Sequence, residues 1–161
     1  MYSDFEYEIF SRQFILKQFS ETNLSKLAAA KISIIGLGGI GCPLAKYLVL
    51  SGLKNFKFFD EDFIENSNLN RQILFNYEDV DKKKVTVAKD KLLMINPNCQ
   101  IKIFDNKINK NNIFELNDSS IIIDTTDSWK TMKLVNEYCV NKSIPLLSAS
   151  VVGFDAQIAL F

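Results

Sequence analysis

Histidine is absent from the 161-residue chain. Its absence removes the commonest general base, the commonest metal ligand and every Ser-His-Asp type of triad. Cysteine is scarce: Cys42, Cys99 and Cys139 form no CxxC pair, so neither a disulfide framework nor a zinc knuckle is expected, and a reducing, cytoplasmic setting fits best. No apolar run approaches the roughly 18 residues of a membrane span. The N-terminal MYSDFEYEIFSRQF carries acids and no apolar core of a signal peptide, so no membrane partner is expected. An excess of one charge is also missing. Lys plus Arg and Asp plus Glu stand at 19 each, leaving no global field to draw nucleic acid, which is not expected as a partner.

At 18.4 kDa and 47% hydrophobic residues, the chain has the size and composition of one globular domain with a proper core. Buried-strand runs alternate with helical patterns. Strands are expected at Ile32–Ile35, Phe56–Phe59, Ile101–Phe104, Ile121–Asp124 and Pro145–Ala149. Helices are expected at Pro43–Ser51, Lys82–Met94 (stopped by Asn96-Pro97) and Thr131–Val140. This alternation predicts an α/β fold, a Rossmann-like doubly wound and mostly parallel sheet. The alternating tail Ala156–Phe161 predicts an antiparallel edge strand. Ahead of the first strand, Glu8–Ala30 reads as helical segments broken at Asn23. The expected division is an N-terminal helical arm over residues 1–30 and a Rossmann-like domain over residues 31–161.

The few glycines gather in IGLGGIG, Ile35–Gly41. There the first permits a tight strand-to-helix turn, Gly38 lets a phosphate approach the backbone, and Gly41 lets helix and strand pack closely. Free N–H groups at that helix end favour an anion. Asp60 stands at the end of the next strand, about 20 residues on, where an acid holds ribose hydroxyls. The segment beyond Asp60 is richer in polar groups than a ribose requires. Asn68, Arg71, Gln72 and Lys84 supply two cations and two amides, which suit a triphosphate better than a hydride-transfer site. In IIIDTTDS, Ile121–Ser128, two acids lie at a strand's C-terminal end, and Asp127 is poised for a magnesium ion bridging phosphate oxygens. Each feature also has a structural alternative: a tight turn, a solvated charge run around Lys84, a helix N-cap at Asp127.

Taken in order, Arg12 in FSRQF, Gly36, Gly38, Gly39 and Gly41, Asp60 with Asp62, SNLNRQ at Ser67–Gln72, Lys84, and Asp124 with Asp127 resemble the pattern of the ThiF/MoeB/HesA proteins. These are adenylating enzymes related to ubiquitin-activating enzymes. The resemblance implies ATP- and Mg2+-dependent adenylation of the C-terminal carboxylate of a ubiquitin-like sulfur-carrier protein or short peptide. In that picture Asp60 holds the ribose; Asn68, Arg71, Gln72 and Lys84 line the phosphates; Asp127 holds magnesium. Arg12 is implied to reach the phosphates of a neighbouring subunit, which makes a homodimer the expected assembly. The carboxylate is already nucleophilic, so the chemistry needs positioning and charge neutralisation rather than a general base.

Ser128 stands where many relatives have Asn, and the cysteines read as packing residues. The thioester cysteine and zinc-binding CxxC pairs of many relatives have no counterpart in this sequence. The expectation therefore reaches adenylation and not sulfur or thioester transfer. Two other readings stay open on sequence: a non-catalytic partner subunit that lends Arg12 to another chain, and an NAD-binding Rossmann domain.

Overall fold

The computed structural model describes residues 4–161. Six strands form one sheet in the order β3-β2-β1-β4-β5-β6: β1 Lys31–Ile35, β2 Asn55–Phe59, β3 Gln100–Phe104, β4 Ile121–Asp124, β5 Leu146–Val152 and β6 Asp155–Leu160. All neighbours are parallel except β5 and β6, which pair antiparallel through the turn at Gly153. The expected doubly wound sheet and its antiparallel edge are both present. The order reverses at β1, which pairs with β2 on one side and β4 on the other. The crevice at the carboxyl ends of these strands is where such sheets bind ligands.

The helices ahead of the sheet are α1 Asp4–Ile9, α2 Ser11–Phe14 and α3 Glu21–Ala29; within it come α4 Gly41–Leu50, α5 Lys84–Ile95 and α6 Trp129–Lys142. Strand side chains alternate between two cores. Ile32, Ile34, Phe56 and Phe58 meet Val49, Val85 and Leu92 of α4 and α5 on one face. Ile35, Phe59 and Ile122 meet Val135 and Cys139 of α6, with Ile113 and Leu116 of a one-turn 3₁₀ helix, on the other. Each helix ends for a local reason. Asn96, held extended before Pro97, closes α5. Ser143 in the left-handed region closes α6, with Pro145 two residues beyond.

Three expectations need correction. The N-terminal helices do not break at Asn23; the break lies at residues 15–20, because the Ser20 hydroxyl accepts the Asn23 N–H and makes Asn23 part of the first turn of α3. Helix α5 starts at Lys84 rather than Lys82. Lys82 and Lys83 are held in extended pairing instead, with the Ile64 N–H on the Lys82 carbonyl and a bridge between Phe63 and Lys83. Strand β5 runs to Val152 rather than Ala149, since each added residue gains a partner in β6. The resulting hairpin exposes Val152, Phe154, Ile158, Leu160 and Phe161, and no further strand pairs with β6 among the described residues.

Candidate functional site

The glycine segment leaves β1 in a turn that only glycine fits at two points. Gly36 has φ +92, and a Cβ at Gly41 would lie 2.0 Å from the Gly36 carbonyl oxygen. The turn lets α4 begin directly above β1; the Cys42 N–H bonds the Gly38 carbonyl at 3.0 Å and Pro43 carries none, so of the first three residues only Gly41 has an N–H left for an anion. Above Gly38 a Cβ would meet nothing within 4 Å, so the backbone there is open to a ligand. Above Gly39 the same construction meets the Arg71 side chain at 3.4 Å. The Arg71 guanidinium is braced by the Ser67 carbonyl at 2.7 Å and Asn70 Oδ1 at 3.0 Å. One of the two sequence-predicted cations therefore lies over the glycine loop.

Asp60 ends β2 and is half-buried. Its Oδ2 accepts the Leu37 N–H at 2.6 Å and its Oδ1 the Asp62 N–H at 2.9 Å. Burial raises its carboxyl above the ordinary value, against the pull of those two N–H groups and of the Lys84 cation. Lys84, the other predicted cation, is 5% exposed, which rules out the solvated charge run. Its ammonium sits 2.8 Å from Asp62 Oδ2. A lysine at the first residue of a helix stands against the positive end of the helix dipole, and a buried lysine is costly without a partner. Asp62, itself largely exposed, supplies that partner.

The amides divide. Asn68 is buried, and its Oδ1 is committed to the Glu65 N–H at 3.1 Å, which caps a one-turn 3₁₀ helix at Asn66–Asn68. Gln72 is 3% exposed and its Oε1 has no hydrogen-bond partner. At the tip of β4, Asp124 is 1% exposed; Oδ1 accepts from Thr126 N and Oγ1 at 2.9 and 2.8 Å, while Oδ2 has no partner. Burial raises its carboxyl above the ordinary value, and the two Thr126 bonds oppose the shift. Asp127 is exposed. The cap of α6 is Ser128, whose hydroxyl accepts the Thr131 N–H at 3.3 Å, so the helix-cap alternative for Asp127 does not hold. Among the described residues no three His, Cys, Asp or Glu gather as a metal cage. A magnesium ion here would be shared with ligand oxygens, the usual habit of that ion.

Arg12 is not brought to this cluster. Its neighbours on the same helical segment fix the segment elsewhere: the Phe10 ring packs on Gly52 and Gln13 Nε2 donates to the Ser51 carbonyl at 3.5 Å. Both contacts lie at the far end of α4, roughly 15 Å along a ten-residue helix from the glycine turn. The three cysteines are free and buried. Burial pushes the Cys42 thiol up to about 12 and those of Cys99 and Cys139 up to about 11, which suits packing rather than reactivity.

Sequence reasoning missed Thr125. Its hydroxyl donates to the Gly36 carbonyl at 2.8 Å, with the Ile35 carbonyl 3.1 Å away, and its N–H bonds the Ile35 carbonyl at 2.9 Å. The consecutive threonines after Asp124 were the only sign, and spacing alone cannot tell which one turns toward the glycine loop.

An open cleft of about 710 Å³ lies away from these residues, lined by Lys31, Lys57, Lys89, Lys102 and Asp118 among others. Three of those lysines are already engaged. Lys31 and Lys57 pair with Asp118, Lys57 also donates to the Glu115 carbonyl, and Lys102 pairs with Glu115.

A glycine turn at the switch point, an acid on its Leu37 N–H and two cations nearby make up a crevice of the Rossmann-like class. The chain belongs to the ThiF family, whose model matches residues 10–161. It is 34% identical over 157 residues to the sulfur carrier protein ThiS adenylyltransferase of Escherichia coli, covering 97% of this chain and 62% of that protein. It is 35% identical over 153 residues to the adenylyltransferase and sulfurtransferase MOCS3 of Drosophila virilis, covering 94% and 34%. Among solved structures, E. coli MccB with ATP superposes with a TM-score of 0.87 at 32% identity, covering 95% of this chain and 47% of that one. E. coli tRNA N6-threonylcarbamoyladenosine dehydratase, TcdA, with AMP gives 0.85 at 28%, covering 92% and 60%. The chain thus spans less than two thirds of the length of each of these relatives.

Proposed function

We propose that the protein is an ATP-dependent adenylyltransferase that activates the C-terminal carboxylate of a sulfur-carrier protein or short peptide as an acyl-adenylate. The observation that carries this reading is the pair of cations at the glycine turn, Arg71 over Gly39 and the buried Lys84 beside Asp60 and Asp62. A nicotinamide site has no use for a buried lysine there, and a chain that only lent Arg12 to a partner would have none either. Relatives point the same way: one is a ThiS adenylyltransferase, and MccB has been solved with ATP and with MccA.

The residues fit a nucleotide triphosphate. Open backbone above Gly38 and the N-terminus of α4 receive phosphate oxygens. Asp60 keeps lone pairs for the ribose beyond its two N–H bonds. The unpartnered Gln72 Oε1 lies on the same segment as Arg71, as does the Asn68 amide nitrogen, which makes one long bond to Ser67 Oγ at 3.4 Å. Magnesium, held through Asp127, would neutralise phosphate charge.

In the reaction, a substrate carboxylate oxygen attacks the α-phosphorus. The bond from that phosphorus to the bridging oxygen breaks, and pyrophosphate leaves with the electron pair. No proton has to be removed from the nucleophile, so a chain without histidine suffices. Arg71 and Lys84 stabilise the charge that builds on the departing oxygens.

The finer reading is a two-fold dimer in a reducing, cytoplasmic setting. The anchoring of the Arg12 segment at the far end of α4 supports a role across a subunit boundary, as an arginine finger on the partner's phosphates. The test is ATP–pyrophosphate exchange with peptides carrying candidate carboxyl termini, including Gly-Gly ends. Exchange that requires both peptide and magnesium is expected. Tight NAD binding without a magnesium effect would sink the reading. Mixing inactive Arg12→Ala and Asp127→Ala chains should restore up to about a quarter of activity if the site is shared across a two-fold axis.

A further inference from the structure

The Gly36–Leu37 peptide unit is gripped at both ends. Its carbonyl oxygen accepts the Thr125 hydroxyl at 2.8 Å, and its N–H donates to Asp60 Oδ2 at 2.6 Å. These are opposite ends of one planar group, which cannot rotate at one end without rotating at the other. Asp60 stands at the tip of β2 and Thr125 just beyond β4, on either side of β1. The same carbonyl is crowded by the start of α4, where even a methyl at Gly41 would fall 2.0 Å from it. A second N–H of the turn, that of Gly36 itself, is held by the Phe59 carbonyl at 2.8 Å.

From this we infer that Thr125 is a positioning residue whose hydroxyl, acting through the Gly36–Leu37 peptide plane, sets the orientation of Asp60 and links it to the β4 loop that carries Asp127. The inference deepens the adenylyltransferase reading and rests on it for its consequence in catalysis. A hydrogen bond from a side chain would be an odd way merely to close the turn. The Thr125 N–H already joins β4 to β1 by bonding Ile35, and glycine already supplies the positive φ. What the hydroxyl adds is direction. With the Gly36 carbonyl fixed toward β4, the Leu37 N–H must face β2, so Asp60 Oδ2 is occupied and only its remaining lone pairs face the crevice.

The first readout needs no nucleotide. Amide hydrogen exchange of Leu37 is followed in the whole chain for the native protein, Thr125→Val and Thr125→Ser. The valine variant keeps the shape and removes the donor; protection of the Leu37 amide should fall by about tenfold, the size of one buried hydrogen bond lost. The serine variant keeps the donor and should hold protection to within about twofold by the same argument. If Thr125→Val does not fold by circular dichroism, Thr125→Cys takes its place, and its weaker S–H donor should give an intermediate loss.

The second readout is ATP affinity with magnesium in a cycle of Thr125→Val, Asp60→Ala and the double variant. Coupling through one peptide predicts that Thr125→Val weakens ATP when Asp60 is present and adds nothing once Asp60 is gone. Unchanged Leu37 protection in Thr125→Val, or equal loss in Thr125→Ser, overturns the inference. So do losses in ATP affinity that simply multiply. Failure of the native chain to bind ATP at all defeats the adenylyltransferase reading while the exchange result still decides the role of Thr125.

Discussion

Two regions of the sheet treat their charged groups in opposite ways. Away from the carboxyl ends, Lys31 at the start of β1 and the mid-strand Lys57 and Lys102 meet Asp118 and Glu115 in a closed network. Lys57 and Lys31 pull the Asp118 carboxyl down to about 2. At the carboxyl ends, Asp60 and Asp124 are instead pushed up by burial, and Asp124 Oδ2 and Gln72 Oε1 have no partners. A network whose members are satisfied by one another needs no ligand; buried polar atoms left over are a cost that persists when something else is meant to meet them. That contrast supports the proposal that the carboxyl end is the working end, although an open cleft lies away from it.

The sharpest way to break the comparison is to remove a cation from each region. Lys84→Ala should lower pyrophosphate exchange by about 100-fold or more, with a smaller change in ATP affinity, because its charge counts most as the leaving group forms. Lys102→Ala in the other region should leave exchange unaltered, and equal losses from both would erase the distinction. Next in size is Gly41→Ala. Its Cβ has no room against the Gly36 carbonyl, so the turn must shift, at about 1–3 kcal/mol by urea unfolding. Gly38→Ala, with open space above it, should leave stability far closer to native while impairing nucleotide binding.

The smallest effects should run in opposite directions. Asp124→Asn should stabilise the chain at neutral pH by about 0.5–2 kcal/mol, as relief of a functional burial commonly does. The folded carboxyl of Asp124 lies above its unfolded value, so its contribution is present in acid and is lost as pH rises through the folded value. The advantage of the variant should therefore open above about pH 4, the unfolded carboxylate range. Asp118→Asn should destabilise by no more than about 1 kcal/mol, since Asp118 itself is half exposed. The native carboxyl lies below its unfolded value, so the deficit should be full above about pH 4 and close as pH falls toward about 2. Thermal melts from pH 2 to 8 would show whether the two curves diverge as stated.

Much of this architecture was legible in the sequence. The alternation of apolar strand-type runs with amphipathic segments located every strand, and IGLGGIG, Asp60 and DTTDS pointed to the crevice. The errors fell where tertiary contacts override local signals. Lys82 and Lys83 have good helical propensity, yet strand-like pairing with residues 63–64 claims them. Lys84 sat in a charge run, and only its side-chain pairing with Asp62, 22 residues away, takes it out of water. Asn68 keeps its proposed place by the phosphates, but its Oδ1 caps the Glu65 N–H and its Nδ2 meets Ser67 Oγ at 3.4 Å, which spacing alone does not show. Spacing reveals which residue types arrive at a site, while partners distant in sequence decide what each has left to give.

The β5–β6 hairpin has a colloidal consequence. Between Ile144 and Phe161 the single charge is Asp155, and the whole chain carries no net charge at neutral pH. Neither local nor long-range repulsion therefore guards the open side of β6, whose exposed Ile158 and Leu160 flank unpaired backbone groups. By the general rule for exposed apolar edges, this rim is the segment of the described residues on which added charge should most improve solubility, and Asp155 is its one present gatekeeper.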